Sequence, residues 1–140
     1  MEPRLSFVTL GVSDLGRATR FYADGLRLQQ LKSLPTVSFF DLGGVRLALY
    51  PRHLLEAETG VAPDDVRLSG FALGYNVGSE PEVDRLLSKA ERAGGRITKR
   101  ASRTDWGGYA GYCADPDGFL WEVVWNPKLS SLATTSDQQL

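Results

Sequence analysis

One carboxylate, Glu122, stands where it could act on a bound molecule. It lies in the segment 120–125, which reads Leu-Trp-Glu-Val-Val-Trp. Strand alternation puts Leu120, Glu122 and Val124 on one face. Both faces are apolar, so we expect the strand to be covered on both sides and the carboxylate to be paired, hydrogen-bonded or protonated. Two interpretations stay open: Glu122 is a ligand-binding or general-base group, or it is a structural group satisfied by backbone, tyrosine or water.

Other side chains with reactive chemistry are scarce. The chain has one cysteine, Cys113, and one histidine, His53. A single cysteine excludes an intrachain disulfide framework and multi-cysteine metal sites, and a single histidine excludes a His-rich metal site. We expect Cys113 to be a small buried hydrophobe rather than a nucleophile. Any chemistry therefore depends on carboxylates, hydroxyls, arginine and aromatics.

Composition excludes several other classes of protein. The chain has 140 residues, with 42% hydrophobic and 24% charged, which fits one compact domain with a proper core. Its 16 basic and 17 acidic residues give a net charge of -1. The chain therefore lacks the excess of positive charge that binds nucleic acid or an anionic membrane. No apolar run approaches the roughly 18 residues of a membrane helix, and the amino-terminal residues show no signal peptide. We expect a cytoplasmic protein.

The elements that must position Glu122 occur twice. A strand at 5–12 precedes a helix capped by Asp14 and ended at Gly25. A second strand at 69–77 precedes a helix opened by the S-x-x-E box of Ser79 and ended by two glycines.

A hairpin completes each half of the repeat. The turn at 41–44 aligns with the turn at 115–118 at an offset of 74, which sets Ala48 opposite Glu122. The repeat is a βαβββ unit, so the fold class is α+β with two such modules in tandem. Module one covers about 4–51 and module two 69–127. A connector (52–68, with a short helix over His53–Glu58) and a flexible tail (128–140) complete the chain.

The two halves resemble the vicinal oxygen chelate superfamily, of the glyoxalase, bleomycin resistance protein and dioxygenase type. The resemblance rests on Val-Thr-Leu-Gly-Val-Ser-Asp-Leu at 8–15, on Phe-Tyr-x-x-Gly-Leu at 21–26, and above all on the closing stretch 107–127 with its Asp-Pro-Asp-Gly and Leu-Trp-Glu-Val. It implies paired βαβββ modules whose sheets curve around a cleft, commonly in a homodimer.

The resemblance also implies where a catalytic metal would be held. Enzymes of the superfamily bind a divalent ion through His, Glu or Gln on four strands, so that it can chelate two substrate oxygens. Those positions fall here at Phe7, Ala48, Ala72 and Glu122. Phenyl and methyl groups donate no electron pair, and one carboxylate alone does not hold a catalytic ion. We therefore predict no metal and no other cofactor.

Aromatic side chains are the remaining signal for a binding site. Trp106 lies in the glycine-flanked loop 102–108, where it either stacks on a planar ligand or anchors its loop in the core. Arg46 either faces the cleft or lies at a strand edge in water. The predicted ligand-binding residues are Phe7, Phe39, Arg46, Tyr75, Trp106, Tyr109, Tyr112 and Glu122.

These residues predict a metal-free protein that binds an aromatic or amphipathic small molecule. The alternative is a glyoxalase-like lyase, isomerase or dioxygenase that uses Glu122, with or without a divalent metal, and Glu122 is its only catalytic candidate. The expected partners are the small molecule and a second copy of the chain, with no nucleic acid and no membrane.

Overall fold

The computed structural model describes residues 1, 3, 5–59 and 71–128. The chain divides into two compact units, Met1–Ser69 and Gly70–Leu140. No helix in the described ranges is long and apolar enough to cross a membrane.

The first unit is a four-stranded mixed sheet with two helices packed on it. Its elements are β1 (Phe7–Val12), α1 (Leu15–Arg20), a π-helical turn (Phe21–Gly25), β2 (Gln30–Leu34), β3 (Val37–Asp41), β4 (Arg46–Pro51) and α2 (Arg52–Thr59). The strand order is β1-β4-β3-β2. The β1–β4 pair is parallel and the other pairs are antiparallel.

The second unit repeats this plan. Its elements are β5 (Leu73–Val77), α3 (Glu80–Arg92), β6 (Arg96–Arg103), β7 (Tyr109–Ala114) and β8 (Leu120–Trp125). The strand order is β5-β8-β7-β6, again with a parallel first pair. The predicted α+β class and the duplicated βαβββ module are therefore confirmed.

Strand register fixes which residues of the two units are equivalent. Thr9 pairs with Ala48 in the first unit, and Gly74 pairs with Glu122 in the second. These pairs confirm the equivalence of Ala48 and Glu122. The offset of 74 does not extend to the preceding strands, because Phe39 is the partner of Ala48 and Tyr112 that of Glu122. The turn between β7 and β8 is one residue longer than the turn between β3 and β4.

The first helix ends differently from its prediction. The chain continues from α1 into the π-helical turn, whose last bond runs from the Leu26 N–H to the Phe21 carbonyl oxygen at 2.9 Å. The residue with positive φ is Arg27, at 62°. Gly25 is therefore not the glycine cap that its position suggested, because the wider turn carries the chain two residues further before it reverses.

The helix of the second unit, α3, begins and ends as predicted, with one difference. The Ser79 side chain accepts a hydrogen bond from the Glu82 N–H at 3.4 Å. The Glu82 carboxylate accepts from the Gly78 N–H at 2.7 Å rather than from Ser79 itself. Gly94 follows the helix with φ of 103°, a conformation that glycine adopts without strain.

Each unit has its own core between the helix and one face of its sheet. In the first unit the apolar side chains buried in this layer are Leu10, Val12, Ala18, Phe21, Tyr22, Phe40, Leu47 and Leu49, and Ala48 is also buried, on the other face of the sheet. Ser38 is buried among them, and its hydroxyl shares a 2.9 Å hydrogen bond with Thr19 of α1. In the second unit the core is Val77, Val83, Leu87, Ala90, Cys113, Trp121 and Val123. These contacts identify the helix-covered face of each sheet.

The connector and tail are described only in part. The short helix expected at His53–Glu58 is present as α2. Leu55 of α2 lies close to Gly11 of β1, and a Cβ added to Gly11 would lie 3.1 Å from the Leu55 methyl carbon. The rest of the predicted connector and nearly all of the predicted flexible tail lie outside the described residues.

Candidate functional site

Glu122 lies on the face of its sheet that points away from α3. The opposite face is identified by Gly111, where an added Cβ would contact Leu87 of that helix. Because neighbours in a strand alternate, Tyr112 and its partner Glu122 point the other way. Gly74 and Lys99 continue this line across the sheet. We call these four residues (Gly74, Glu122, Tyr112 and Lys99) the Glu122 row.

Within this row the carboxylate is hydrogen-bonded. The Tyr112 hydroxyl donates to Glu122 Oε1 at 2.8 Å, in a partly buried setting. Gly74, on the other side of Glu122, would have nothing within 4 Å of an added Cβ. Glu122 Oε1 therefore accepts a hydrogen bond from the Tyr112 phenol, and the space beside Gly74 is open. The tyrosine bond agrees with the structural interpretation of Glu122, and the space leaves the ligand-binding interpretation open.

The same hydrogen bond raises the pKa of Tyr112 above its ordinary value of 10.0, with desolvation and the negative charge of Glu122 adding to the effect. The phenol loses its proton at a lower pH in the unfolded chain than in the folded chain. This difference stabilises the folded form, and the stabilisation is fully present below pH 10. This contribution is lost as the pH rises through the folded-state pKa.

We expect Glu122→Gln to lower the pKa of Tyr112 toward 10, because a neutral amide favours the protonated phenol less than a carboxylate does. The measurement is a pH titration of tyrosine ring carbons by NMR. Glu58→Gln is the matched control, since Glu58 accepts the Tyr50 hydroxyl at 2.7 Å in the first unit. A Tyr112 titration that is the same in wild type and Glu122→Gln contradicts the hydrogen bond.

Two predicted site residues of the second unit lie on the helix-covered face instead. Tyr109 donates its hydroxyl to Asp84 of α3 at 2.9 Å. Tyr75 is the partner of Val123, a core residue, although its ring is half exposed. The structure therefore does not bring these tyrosines together with Glu122. Tyr109 and Tyr112 are three residues apart in one strand, so alternation alone was a signal that they face opposite ways.

Trp106 folds back onto its own loop. Three hydrogen bonds close the loop: from the Thr104 N–H to the Gly108 carbonyl at 2.9 Å, from the Gly107 N–H to the Thr104 carbonyl at 3.2 Å, and from the Gly108 N–H to the Thr104 hydroxyl at 2.8 Å. The indole lies against Gly108, where an added Cβ would overlap the ring. Its side chain is still 47% exposed. The ring is thus seated on the loop backbone with one side open.

The first unit presents aromatic and charged groups on the face that points away from α1. Phe7, Arg46 and Asp41 are register partners across three strands, and we call them the Arg46 row. The Arg46 guanidinium carbon lies 5.9 Å from the centre of the Phe7 ring, a cation–π distance. Phe7 also contacts Phe39 edge to face at 6.0 Å. Arg46 therefore faces outward from the sheet with the aromatic rings.

A cavity of about 520 Å³ opens beside the Arg46 row. It lies at the end of the sheet where β1 and β4 begin. Its lining residues are Ser6, Phe7, Leu31, Asp41, Gly44, Val45 and Arg46. Its size falls in the range of about 300–1,000 Å³ that is typical of small-molecule sites. Of these lining residues, Phe7 and Arg46 were predicted site residues. Sequence reasoning missed the other five, and it missed Leu31 because β2 had not been recognised as a strand.

The superfamily's metal positions do not carry a fitting donor set here. Phe7 and Ala48 lie on the outward face of the first sheet, and Ala72 precedes β5. Glu122 is the single carboxylate among the four. Among the described residues there is no group of three or more His, Cys, Asp or Glu side chains that could hold an ion. Burial raises the pKa of the Cys113 thiol to about 11, with Asp115 adding to it, so without a metal this residue is a neutral buried thiol at neutral pH.

Comparison with known proteins agrees with the fold. The model of the Glyoxalase/Bleomycin resistance protein/Dioxygenase superfamily matches residues 4–123, so the chain belongs to that superfamily. A glyoxalase-related enzyme from Fulvimarina pelagi is 34% identical over 90% of each chain, with a TM-score of 0.82.

Two further solved structures share the fold at lower identity. A family enzyme from Burkholderia phytofirmans PsJN is 20% identical over 87% of this chain and 98% of that chain, with a TM-score of 0.74. Lactoylglutathione lyase from Agrobacterium tumefaciens is 24% identical over 92% of this chain and 97% of that chain, with a TM-score of 0.67.

Proposed function

We propose that this protein binds a small aromatic or amphipathic molecule without a metal ion. The observation that carries the proposal is the cavity beside the Arg46 row. Its wall includes Phe7, which stands at a metal-ligand position of the superfamily and is 47% exposed on the sheet. An exposed phenyl ring beside a cavity of this size favours an apolar or aromatic ligand.

The absence of a metal is part of the proposal and rests on donor chemistry. A divalent ion in such a fold needs several oxygen or nitrogen ligands from separate strands. Three of the four positions are phenyl or methyl groups, and the fourth, Glu122, already accepts the Tyr112 hydroxyl. The remaining carboxylate oxygen is one ligand, which is too few to compete with water.

A second candidate function is an enzyme in which Glu122 acts as a general base. The Tyr112 bond orients the carboxylate, and the open space beside Gly74 could admit a substrate atom. The Fulvimarina relative is described as an enzyme, which supports catalysis in a similar chain. We rank this second because the cavity that carries the first proposal is lined by residues of the first unit, and no residue of the Glu122 row lines it.

The ligand test uses 8-anilinonaphthalene-1-sulfonate, an amphipathic aromatic probe, titrated against folded protein and followed by fluorescence. We expect Phe7→Ala to weaken probe binding by about 1–3 kcal/mol, the usual effect of removing a central aromatic contact. Phe71→Ala is the matched control, since Phe71 is 51% exposed but belongs to the second unit. Equal binding by wild type and Phe7→Ala, or an equal loss in Phe71→Ala, contradicts the proposed site.

The predicted partners also remain proposals. We propose that two copies of the chain form a homodimer, as the superfamily resemblance implies, and that the protein acts in the cytoplasm. The balanced charge of 16 basic and 17 acidic residues supports the absence of nucleic acid and anionic membrane among its partners.

A further inference from the structure

We propose that the cavity beside the Arg46 row takes a zwitterion: a ligand with one carboxylate and one ammonium group attached to an apolar or aromatic side chain. This inference rests on the proposed function and specifies the class of ligand. It follows from the two opposite charges in the cavity wall and from the apolar surface between them.

Arg46 supplies the contact for the carboxylate. Its guanidinium carbon lies over the Phe7 ring, 5.9 Å from the ring centre. Among the described residues no carboxylate oxygen lies within 4.0 Å of the guanidinium, since the ion pairs there involve other arginines. The guanidinium therefore has donors available for a two-point hydrogen bond with a ligand carboxylate.

Asp41 supplies the contact for the ammonium group. It is the direct register partner of Arg46 and also lines the cavity. Its Oδ1 accepts the Gly43 N–H at 2.9 Å, which orients the carboxylate at the start of the turn. The second oxygen can accept from a ligand. The two side chains are neighbours of opposite charge that do not form an ion pair with each other.

This pairing disfavours ligands with a single charge. An anion bound at Arg46 is repelled by Asp41 on the next strand, and a cation bound at Asp41 is repelled by Arg46. A ligand with both charges meets an attractive partner for each. Its net charge matches the zero net charge of the two charged lining residues.

The other walls suit an apolar side chain. Phe7, Leu31 and Val45 line the cavity, and Leu31 is 45% exposed on an edge strand. Covering large apolar side chains that are exposed on a concave surface removes apolar area from water, which favours ligand binding. A zwitterion with a phenyl or alkyl side chain would use these contacts, whereas a small polar zwitterion would not.

The experiment compares three probes that share one phenyl group: L-phenylalanine, 2-phenylethylamine and 3-phenylpropanoate. Each is titrated into the wild-type protein and followed by backbone chemical shifts in two-dimensional NMR. We expect phenylalanine to bind at least about tenfold more tightly than either singly charged probe, with the largest shifts at the cavity residues.

Two variants separate the charges. Arg46→Met keeps an apolar stem and should abolish the advantage of phenylalanine over phenylethylamine. Asp41→Asn can still accept the Gly43 N–H and should abolish the advantage over phenylpropanoate. Arg92→Met on α3 and Asp24→Asn in the π-helical turn are the controls, and both should bind as wild type does. The spectra themselves report whether each variant is folded.

The outcomes distinguish this inference from the proposed function. Equal affinity for the three probes, tightest binding of the acid or the amine alone, or shifts away from the cavity overturns the zwitterion inference. Binding of the anilinonaphthalene probe through Phe7 with no binding of phenylalanine overturns it as well and leaves the proposed function standing. Failure of every probe overturns both.

Discussion

Replacing Gly111 with alanine should lower the free energy of unfolding by about 1–3 kcal/mol, the usual range for an extra methyl group in a packed core. An added Cβ would lie 2.5 Å from Leu87 Cδ1 of α3 and 2.9 Å from the Ala101 nitrogen of β6. The leucine can adjust, but the backbone of the neighbouring strand cannot move without losing its pairing. The added methyl group would therefore strain the pairing of β6 with β7 as well as displace the Leu87 side chain.

The measurement is chemical denaturation in urea, followed by circular dichroism. Gly74→Ala is the matched control, because Gly74 is also in a strand of the second unit and an added Cβ there contacts nothing within 4 Å. We expect the control to change stability by no more than about 0.5 kcal/mol. Equal stability of the two variants would show that the close packing of α3 on β7 is wrong.

The second large effect is expected at Gly108. An added Cβ there would overlap the Trp106 ring and lie 2.8 Å from the Trp125 carbonyl oxygen. We expect Gly108→Ala to displace the indole from the loop and to cost about 1–3 kcal/mol of stability. The tryptophan emission should shift to the red, because Trp106 becomes more exposed whereas Trp121 stays buried.

A double-mutant cycle separates the two contacts. In a Trp106→Ala background the indole is absent, and an added Cβ at Gly108 meets only the Trp125 carbonyl. Gly108→Ala should therefore lower the free energy of unfolding by less in this background than in wild type. The same cycle tests the two sequence-based interpretations of Trp106. If Gly108→Ala costs the same in both backgrounds, the ring does not rest on Gly108 and is free to cover a ligand.

Much of the fold was predictable because it repeats. The turn at 115–118 was identified from Asp115 and Gly118, and the structure shows the Gly118 N–H donating to the Asp115 carbonyl at 3.0 Å. The serine cap of α3 was predicted in the same way, from Ser79 and Glu82. These features are local, so a few residues of the right type determine them.

The features that sequence reasoning missed depend on the balance of many weak contacts. The strand β2 has five exposed residues, so its sequence lacks the alternation that marks a half-buried strand. The π-helical turn after α1 moves the reversal of the chain from Gly25 to Arg27. Neither has a residue signature as strong as the Asp-Pro-Asp-Gly turn.

The candidate site was predictable in part. Alternation correctly put Glu122 opposite the tryptophans of its strand, and the same rule separates Tyr109 from Tyr112. Phe7 and Arg46 were both predicted as site residues, but that they lie side by side could not be predicted, because it depends on the parallel register of β1 against β4. Residues 39 positions apart become neighbours only when that register is known. The cavity beside them depends in addition on Leu31, in the strand that was missed.

We propose that this member of the superfamily binds its ligand without a metal. The most direct test is elemental analysis of protein purified without a chelator, followed by calorimetric titration with Mn²⁺, Ni²⁺, Zn²⁺ and Fe²⁺. We predict far less than one metal ion per chain, no tight binding in any titration, and probe binding that is unchanged by chelator. One tightly bound ion per chain that is lost in Glu122→Gln would contradict the claim.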